Sequence, residues 1–115
     1  MIPYDKVITE QNGTVLIIHL SGCFGYKLIP KFRDAYKGFA THTSVRIDLE
    51  RVYQIESSAL GALMVMRNFF GGDKADISLV NPSSEIRKIL ELSQYHRVFK
   101  ITNGPHPSQS GEAVA

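Results

Sequence analysis

The period of hydrophobic and polar positions changes several times along this chain, and each change marks an element. In KVITEQNGTVLIIHL, Val7 and Thr9 alternate along a first arm, Asn12-Gly13 interrupts it, and Thr14 to Leu20 form a second, more apolar arm. This predicts a β-hairpin turning at Asn12-Gly13, because both central positions of the tightest hairpin turn take positive φ. The second arm is too apolar for an exposed edge. LSGCFGY, with two glycines, reads as a connection. In KLIPKFRDAYKGF, Leu28, Ile29, Phe32, Ala35, Tyr36 and Phe39 recur at helical spacing. Pro30 suits a first turn and Gly38 an end, so an amphipathic helix lying on a sheet is predicted.

SVRIDL alternates Val45, Ile47 and Leu49 with Arg46 and Asp48 and reads as a strand, followed by a short loop through Val52 and Ile55. A helix is predicted from Ser58 to about Phe70, stopping at Gly71-Gly72. Its apolar residues Leu60, Leu63, Met64, Val65, Met66, Phe69 and Phe70 cover more than one face. Such a helix is either deeply buried or has a second, adhesive side, with Met64 on it. ADISLVN is a strand. NPSSEIRKILELSQ is a helix capped by Asn81, with Pro82 at its first position and Ile86, Ile89 and Leu90 facing inward. RVFKI is a last short strand.

The order β-β-α-β-α-β-α-β joins most strands through helices, which requires parallel crossovers, while the hairpin is antiparallel. The expected fold class is α/β: a mixed five-stranded β-sheet with helices packed mainly on one face. One domain is expected over residues 1–102. Residues 103–115, NGPHPSQSGEAVA, hold little to bury and read as a disordered tail.

Composition adds limits. The 115 residues suit one domain, and 43% hydrophobic and 21% charged residues are ordinary for a globular protein. The net charge is +2, and bases such as Lys27, Arg46, Arg67 and Arg97 are scattered, so no nucleic-acid footprint is expected. The single cysteine, Cys23, forms no internal disulfide and reads as a small buried residue. The N-terminal MIPYDKVITEQ lacks the pattern of a signal peptide, and no apolar run is long enough to insert in a bilayer. A cytoplasmic location is the expectation.

No constellation for catalysis emerges. His19 lies within an apolar strand and reads as a hydrogen-bonded sheet residue; His42, His96 and His106 form no metal-binding spacing. No G-x-S-x-G elbow, Walker or dinucleotide motif is present. No catalytic residue, metal or cofactor is assigned, and the protein is not expected to be an enzyme. Ser57 and Ser58, at the mouth of the apolar helix, carry two readings. Either serine caps the helix by accepting a backbone N–H. Alternatively a serine is modified: a phosphate adds about −1.5 to −2 charges, which a helix start tolerates and a partner packed over it does not.

The segment VRIDLERVYQIESSALGALMVMRNFF resembles the signature of STAS domains, specifically the bacterial anti-sigma-factor antagonists. That pattern is an apolar strand ending in Asp-Leu, then Asp-Ser-Ser/Thr-Gly-Leu-Gly opening a helix. Here it reads Asp48-Leu49, then Glu56-Ser57-Ser58-Ala59-Leu60-Gly61. ISLVNPSSEIRKILELSQYHRVFKI is also similar, so the resemblance spans nearly the whole chain to Ile101. It implies partner switching. The unphosphorylated protein binds an anti-sigma factor, a serine protein kinase of the histidine-kinase-like ATPase type, and frees the sigma factor. Phosphorylation at Ser58, with Ser57 as the alternative acceptor, releases the kinase; a PP2C-type phosphatase resets the serine. The implied partner surface comprises Gly25, Glu56, Ser57, Ser58, Ala59 and Leu60, joined by Met64. Glu56 stands where the family has Asp, Ala59 where it has Gly, and Gly25 where many members carry Asp. STAS domains also serve as non-switching subunits of ABC-type lipid transport complexes, which is the alternative expectation.

Overall fold

A computed structural model describes residues 5–104. Strands β1 (Lys6–Asn12) and β2 (Val15–Phe24) form the antiparallel hairpin. Asn12 pairs with Val15, so the turn is Gly13-Thr14, one residue later than expected. Gly13 has φ 64°, whereas Thr14 does not enter the positive region. A glycine at the first central position alone matches a type II′ turn, which needs one positive φ, not two.

β2 pairs parallel with β3 (Ser44–Ile55), β3 with β4 (Ile77–Val80) and β4 with β5 (Lys100–Thr102). The sheet order is β1-β2-β3-β4-β5, the mixed five-stranded sheet that the pattern implied. Helices α1 (Ile29–Tyr36), α2 (Ser57–Phe69) and α3 (Ser84–Leu92) make the crossovers. Leu16, Ile18 and Leu20 of β2 and Val45, Ile47 and Leu49 of β3 share one buried cluster with Phe32 and Tyr36 of α1, Leu63 and Met66 of α2, and Ile86 and Leu90 of α3. A single cluster holding all three helices places them on one face of the sheet.

Several boundaries differ from the sequence reading. LSGCFGY is not a connection as far as Phe24, because β2 continues to that residue. β3 absorbs the expected loop through Val52 and Ile55. The register slips between His19 and Ser21, and again between Gly22 and Cys23, so β3 carries extra residues opposite β2. Each bulge shifts the alternation by one. The inward residues of β3 therefore become Leu49, Val52 and Ile55, a spacing of three that does not read as a strand. Asn81 does not cap α3. Ser83 does, its Oγ accepting the Ile86 N–H at 3.2 Å, and Pro82 precedes the cap. Asn81 instead takes φ 55° and exchanges two hydrogen bonds with Gly104. In RVFKI, Arg97 ends a 3₁₀ turn over Tyr95–Arg97, and the strand starts only at Lys100. Of the expected tail, Asn103 and Gly104 are described, and 105–115 lie outside the described residues.

His19 lies on the face of the sheet away from the helices. Its Nδ1 is 2.8 Å from Asp48 Oδ2 and its Nε2 2.7 Å from Glu10 Oε1, so one imidazole links β1, β2 and β3. Burial lowers its pKa, but the hydrogen bonds and charges of Asp48 and Glu10 outweigh that and leave it raised above 6.5. Asp48 Oδ1 also accepts the Glu50 N–H at 3.0 Å, beside the first bulge.

Two outcomes follow from this packing. A raised folded-state pKa contributes stability that is complete below the unfolded value and fades as pH rises through the folded one. His19→Gln should therefore lower the urea midpoint more at about pH 5.5 than at about pH 9; an equal loss at both would remove the charged link. Leu63 is fully buried at the centre of α2. Leu63→Ala should cost about 2–5 kcal/mol in urea denaturation, and Leu63→Asp should abolish the cooperative transition by burying an unpaired charge.

Candidate functional site

The C-terminal ends of β2 and β3 leave the sheet side by side, and the serine pair stands just beyond them. Glu56 is the N-cap of α2, in extended conformation, with Ser57 and Ser58 at the first two helical positions. The expectation that a serine caps this helix is not met. Both serines are exposed, and among the described residues neither hydroxyl makes a hydrogen bond. The Glu56 carbonyl accepts from Ala59 N at 3.0 Å and Leu60 N at 3.3 Å. The amides of Ser57 and Ser58 fall outside the helix's own ladder, as first-turn amides must.

Glu56 does not cap with its side chain either. Its backbone N–H donates to the Phe24 carbonyl at 2.9 Å, the last rung between the two strand ends. Its Oε1 accepts the Tyr26 N–H at 3.1 Å, in the loop between β2 and α1. Gly25 makes room for this: a Cβ there would run into the Glu56 carboxyl group. Asp5, Cys23, Gly25, Tyr26, Lys27 and Glu56 line a cleft of about 250 Å³ that reaches the N-cap of α2. Burial, then the charges of Glu56 and Asp5, push the Cys23 thiol up, with Lys27 opposing; it is held protonated and is a poor nucleophile.

Not every expected surface residue reaches the surface. Gly25 and Glu56 meet each other, and Ser57 and Ser58 are open. Ala59 is fully buried in the core and holds the surface from below. Leu60 and Met64 are half-buried along its flank. The idea of a broad second apolar side fails, because Met66 and Phe70 are core residues and Phe69 packs half-buried against them. The outer face of α2 is instead a narrow line of Ser58, Gly61 and Val65, the last 58% exposed. Tyr26, 65% exposed, was missed by the sequence reading. An aromatic ring in a loop directly after a strand end was the available signal. Among the described residues no three His, Cys, Asp or Glu side chains come together to hold a metal ion, and no helix is long and apolar enough to cross a membrane.

Comparison with known proteins agrees with this architecture. A family model described as STAS domain matches residues 6–106. The chain belongs to the STAS domain family. A STAS-domain containing protein of Pseudomonas aeruginosa (strain UCBPP-PA14) is 41% identical over 96 residues, covering 83% of this chain and 95% of that protein. Among solved structures, an anti-sigma factor antagonist from Mycobacterium paratuberculosis superposes with TM-score 0.77 at 19% identity, covering 96% of this chain and 94% of that one. The anti-sigma factor antagonist SpoIIAA in its unphosphorylated form gives TM-score 0.75 at 18% identity, covering 95% and 96%. The Bacillus cell fate determinant SpoIIAA in its phosphorylated form gives 0.71 at 17%, covering 96% and 100%. These likenesses establish the STAS fold.

In this STAS domain Gly61 is exposed in the interior of α2, and a Cβ there would meet nothing within 4 Å. The fold itself does not require this glycine. Gly61→Ala should therefore raise stability by about 0.5–1 kcal/mol in thermal or urea unfolding. A loss of stability would show that the outer line of α2 is covered from within the chain.

Proposed function

We propose that this STAS domain is an anti-sigma-factor antagonist controlled by phosphorylation at Ser58. In the unphosphorylated state it binds an anti-sigma factor that is a serine protein kinase of the histidine-kinase-like ATPase type, and the sigma factor is freed. The kinase transfers phosphate to Ser58, the complex separates, and a PP2C-type phosphatase resets the serine. The protein acts as ligand and substrate in this cycle; chemistry is performed on it by its partners.

The observation that carries this reading is the state of Ser58: exposed, unbonded among the described residues, and at the second position of a thirteen-residue helix. A phosphate there gains from the helix dipole and from first-turn amides, so the fold tolerates it. A partner seated on Ser58, Gly61 and Val65 meets a new charge of about −1.5 to −2. Support also comes from SpoIIAA, an anti-sigma factor antagonist of the same fold known in unphosphorylated and phosphorylated forms.

The test is an affinity capture from native extract with Ser58→Ala and Ser58→Asp as parallel baits. A kinase-like ATPase should bind the alanine bait and be lost, by about tenfold or more, from the aspartate bait, since charge–charge and desolvation penalties at a buried interface exceed 1.4 kcal/mol. Equal capture by both, above all of membrane transporter subunits, would overturn the switch in favour of a permanent STAS subunit of an ABC-type lipid transport complex.

A further inference from the structure

One side chain ties together the two elements that border the serine pair. Glu56 opens α2, yet its carboxylate leaves the helix and accepts the Tyr26 N–H at 3.1 Å. Gly25 is what admits it. A Cβ at residue 25 would strike the Glu56 carboxylate and lie 3.0 Å from its Cγ. Gly25 does not use the positive-φ region, so its contribution is the missing side chain and not backbone freedom. The loop's own turn, Leu28 N–H to the Gly25 carbonyl at 3.0 Å, leaves the Tyr26 amide for Glu56. This contact sits at the rim of the cleft, where water competes for it and the Tyr26 ring is exposed.

We propose that Glu56 is a positioning residue that carries the charge state of Ser58 to the loop between β2 and α1. With a neutral serine, the carboxylate holds the Tyr26 amide. Negative charge at Ser58, two residues away on the same helix end, repels the carboxylate and weakens its hold. The loop bearing Tyr26 loosens. The groups facing Glu56 across the cleft are Asp5, of like charge, and Lys27, of opposite charge. Burial is the main cause that raises the Cys23 thiol, and the charges of Glu56 and then Asp5 add to it, so the two carboxylates act on a neighbouring side chain at this rim. A modification on α2 would then alter the partner surface on two elements, beyond the area a phosphate covers. This inference rests on the reading that Ser58 is phosphorylated.

The experiment is amide hydrogen exchange of Tyr26, followed by NMR at low salt without any partner, in four proteins: wild type, Ser58→Asp, Glu56→Gln and the double variant. The added like charge at the same helix end should speed Tyr26 exchange by about twofold in Ser58→Asp, and the effect should fade in high salt. In the Glu56→Gln background, which keeps an acceptor but no charge, aspartate at 58 should change nothing. The Leu79 amide, in the core of β4, reports global opening and should be unaffected throughout. The proposal is overturned if Tyr26 exchange in Ser58→Asp equals wild type, or if Ser58→Asp accelerates it equally with Gln at 56. No partner is used, so either negative result leaves the capture experiment on Ser58 standing. Equal capture by both baits there would remove the phosphate switch while leaving the Glu56 coupling measured.

Discussion

The parallel pairing of β2 with β3 is the constraint on which the rest depends. It commits α1 to cross over one face, it supplies most of the apolar floor on which the helices sit, and it decides where both strands end. Those ends, Phe24 and Ile55, are register partners. The chain segments that leave them, the loop into α1 and the start of α2, are neighbours for that reason. Ligand-bearing edges of parallel sheets lie at the carboxyl ends of strands, because loops diverge there and first-turn helix amides point outward. The serine pair occupies such an edge, and the rung from Glu56 N–H to the Phe24 carbonyl is the point where the ladder gives way to the site.

What was legible in the sequence follows from this geometry. The three helices and the inner strands announce themselves by period, because a face of each is buried, while the hairpin, whose outer strand is exposed except for half-buried Val7, announces itself by its turn residues. The ends of β2 and β3 do not, since two bulges break the alternation and leave Leu49, Val52 and Ile55 as the inward set. Asn81 looked like a cap because Asn-Pro so often starts a helix. In the structure its side chain answers Gly104, a long-range contact that no local pattern contains. Met66 and Phe70 looked excessive for one core, yet Tyr36 of α1 packs against Phe70, and Met66 lies in the same buried cluster. The serines were legible as a motif. The fit of Glu56 over Gly25 was not, because it depends on two segments that meet only once the strands have paired. In the structure the Glu56 side chain occupies the space that a side chain at residue 25 would take.

The two ends of α2 are held in different ways. Toward its C-terminus an aromatic row fixes it: Phe24 to Phe32 at 5.1 Å, Phe32 to Tyr36 at 5.5 Å, and Tyr36 to Phe69 and Phe70 at 5.3 and 5.6 Å. These tilted and edge-on pairs add to the area they bury. On the opposite flank Tyr95 Oη donates to the Leu60 carbonyl at 2.7 Å. Ala59, Leu63 and Met66 complete the inward stripe. None of this involves the Ser57 or Ser58 side chain, so chemistry on them is separated from the energy that keeps the domain folded.

That separation bears on how a charge at the helix start can act. The dipole and the first-turn amides of α2 favour an anion at Ser58, and their effect falls off within one turn. The carboxylates of Glu56 and Asp5, at the cleft beside it, oppose an added anion and act on exposed groups rather than on the core. A favourable short-range term and an unfavourable lateral one therefore act on different parts of the molecule. The first keeps α2 intact. The second works against a solvent-bordered bond from an amide to a carboxylate. A rigid sheet with a loosely tied rim is the arrangement in which a small charge moves a surface without moving a fold.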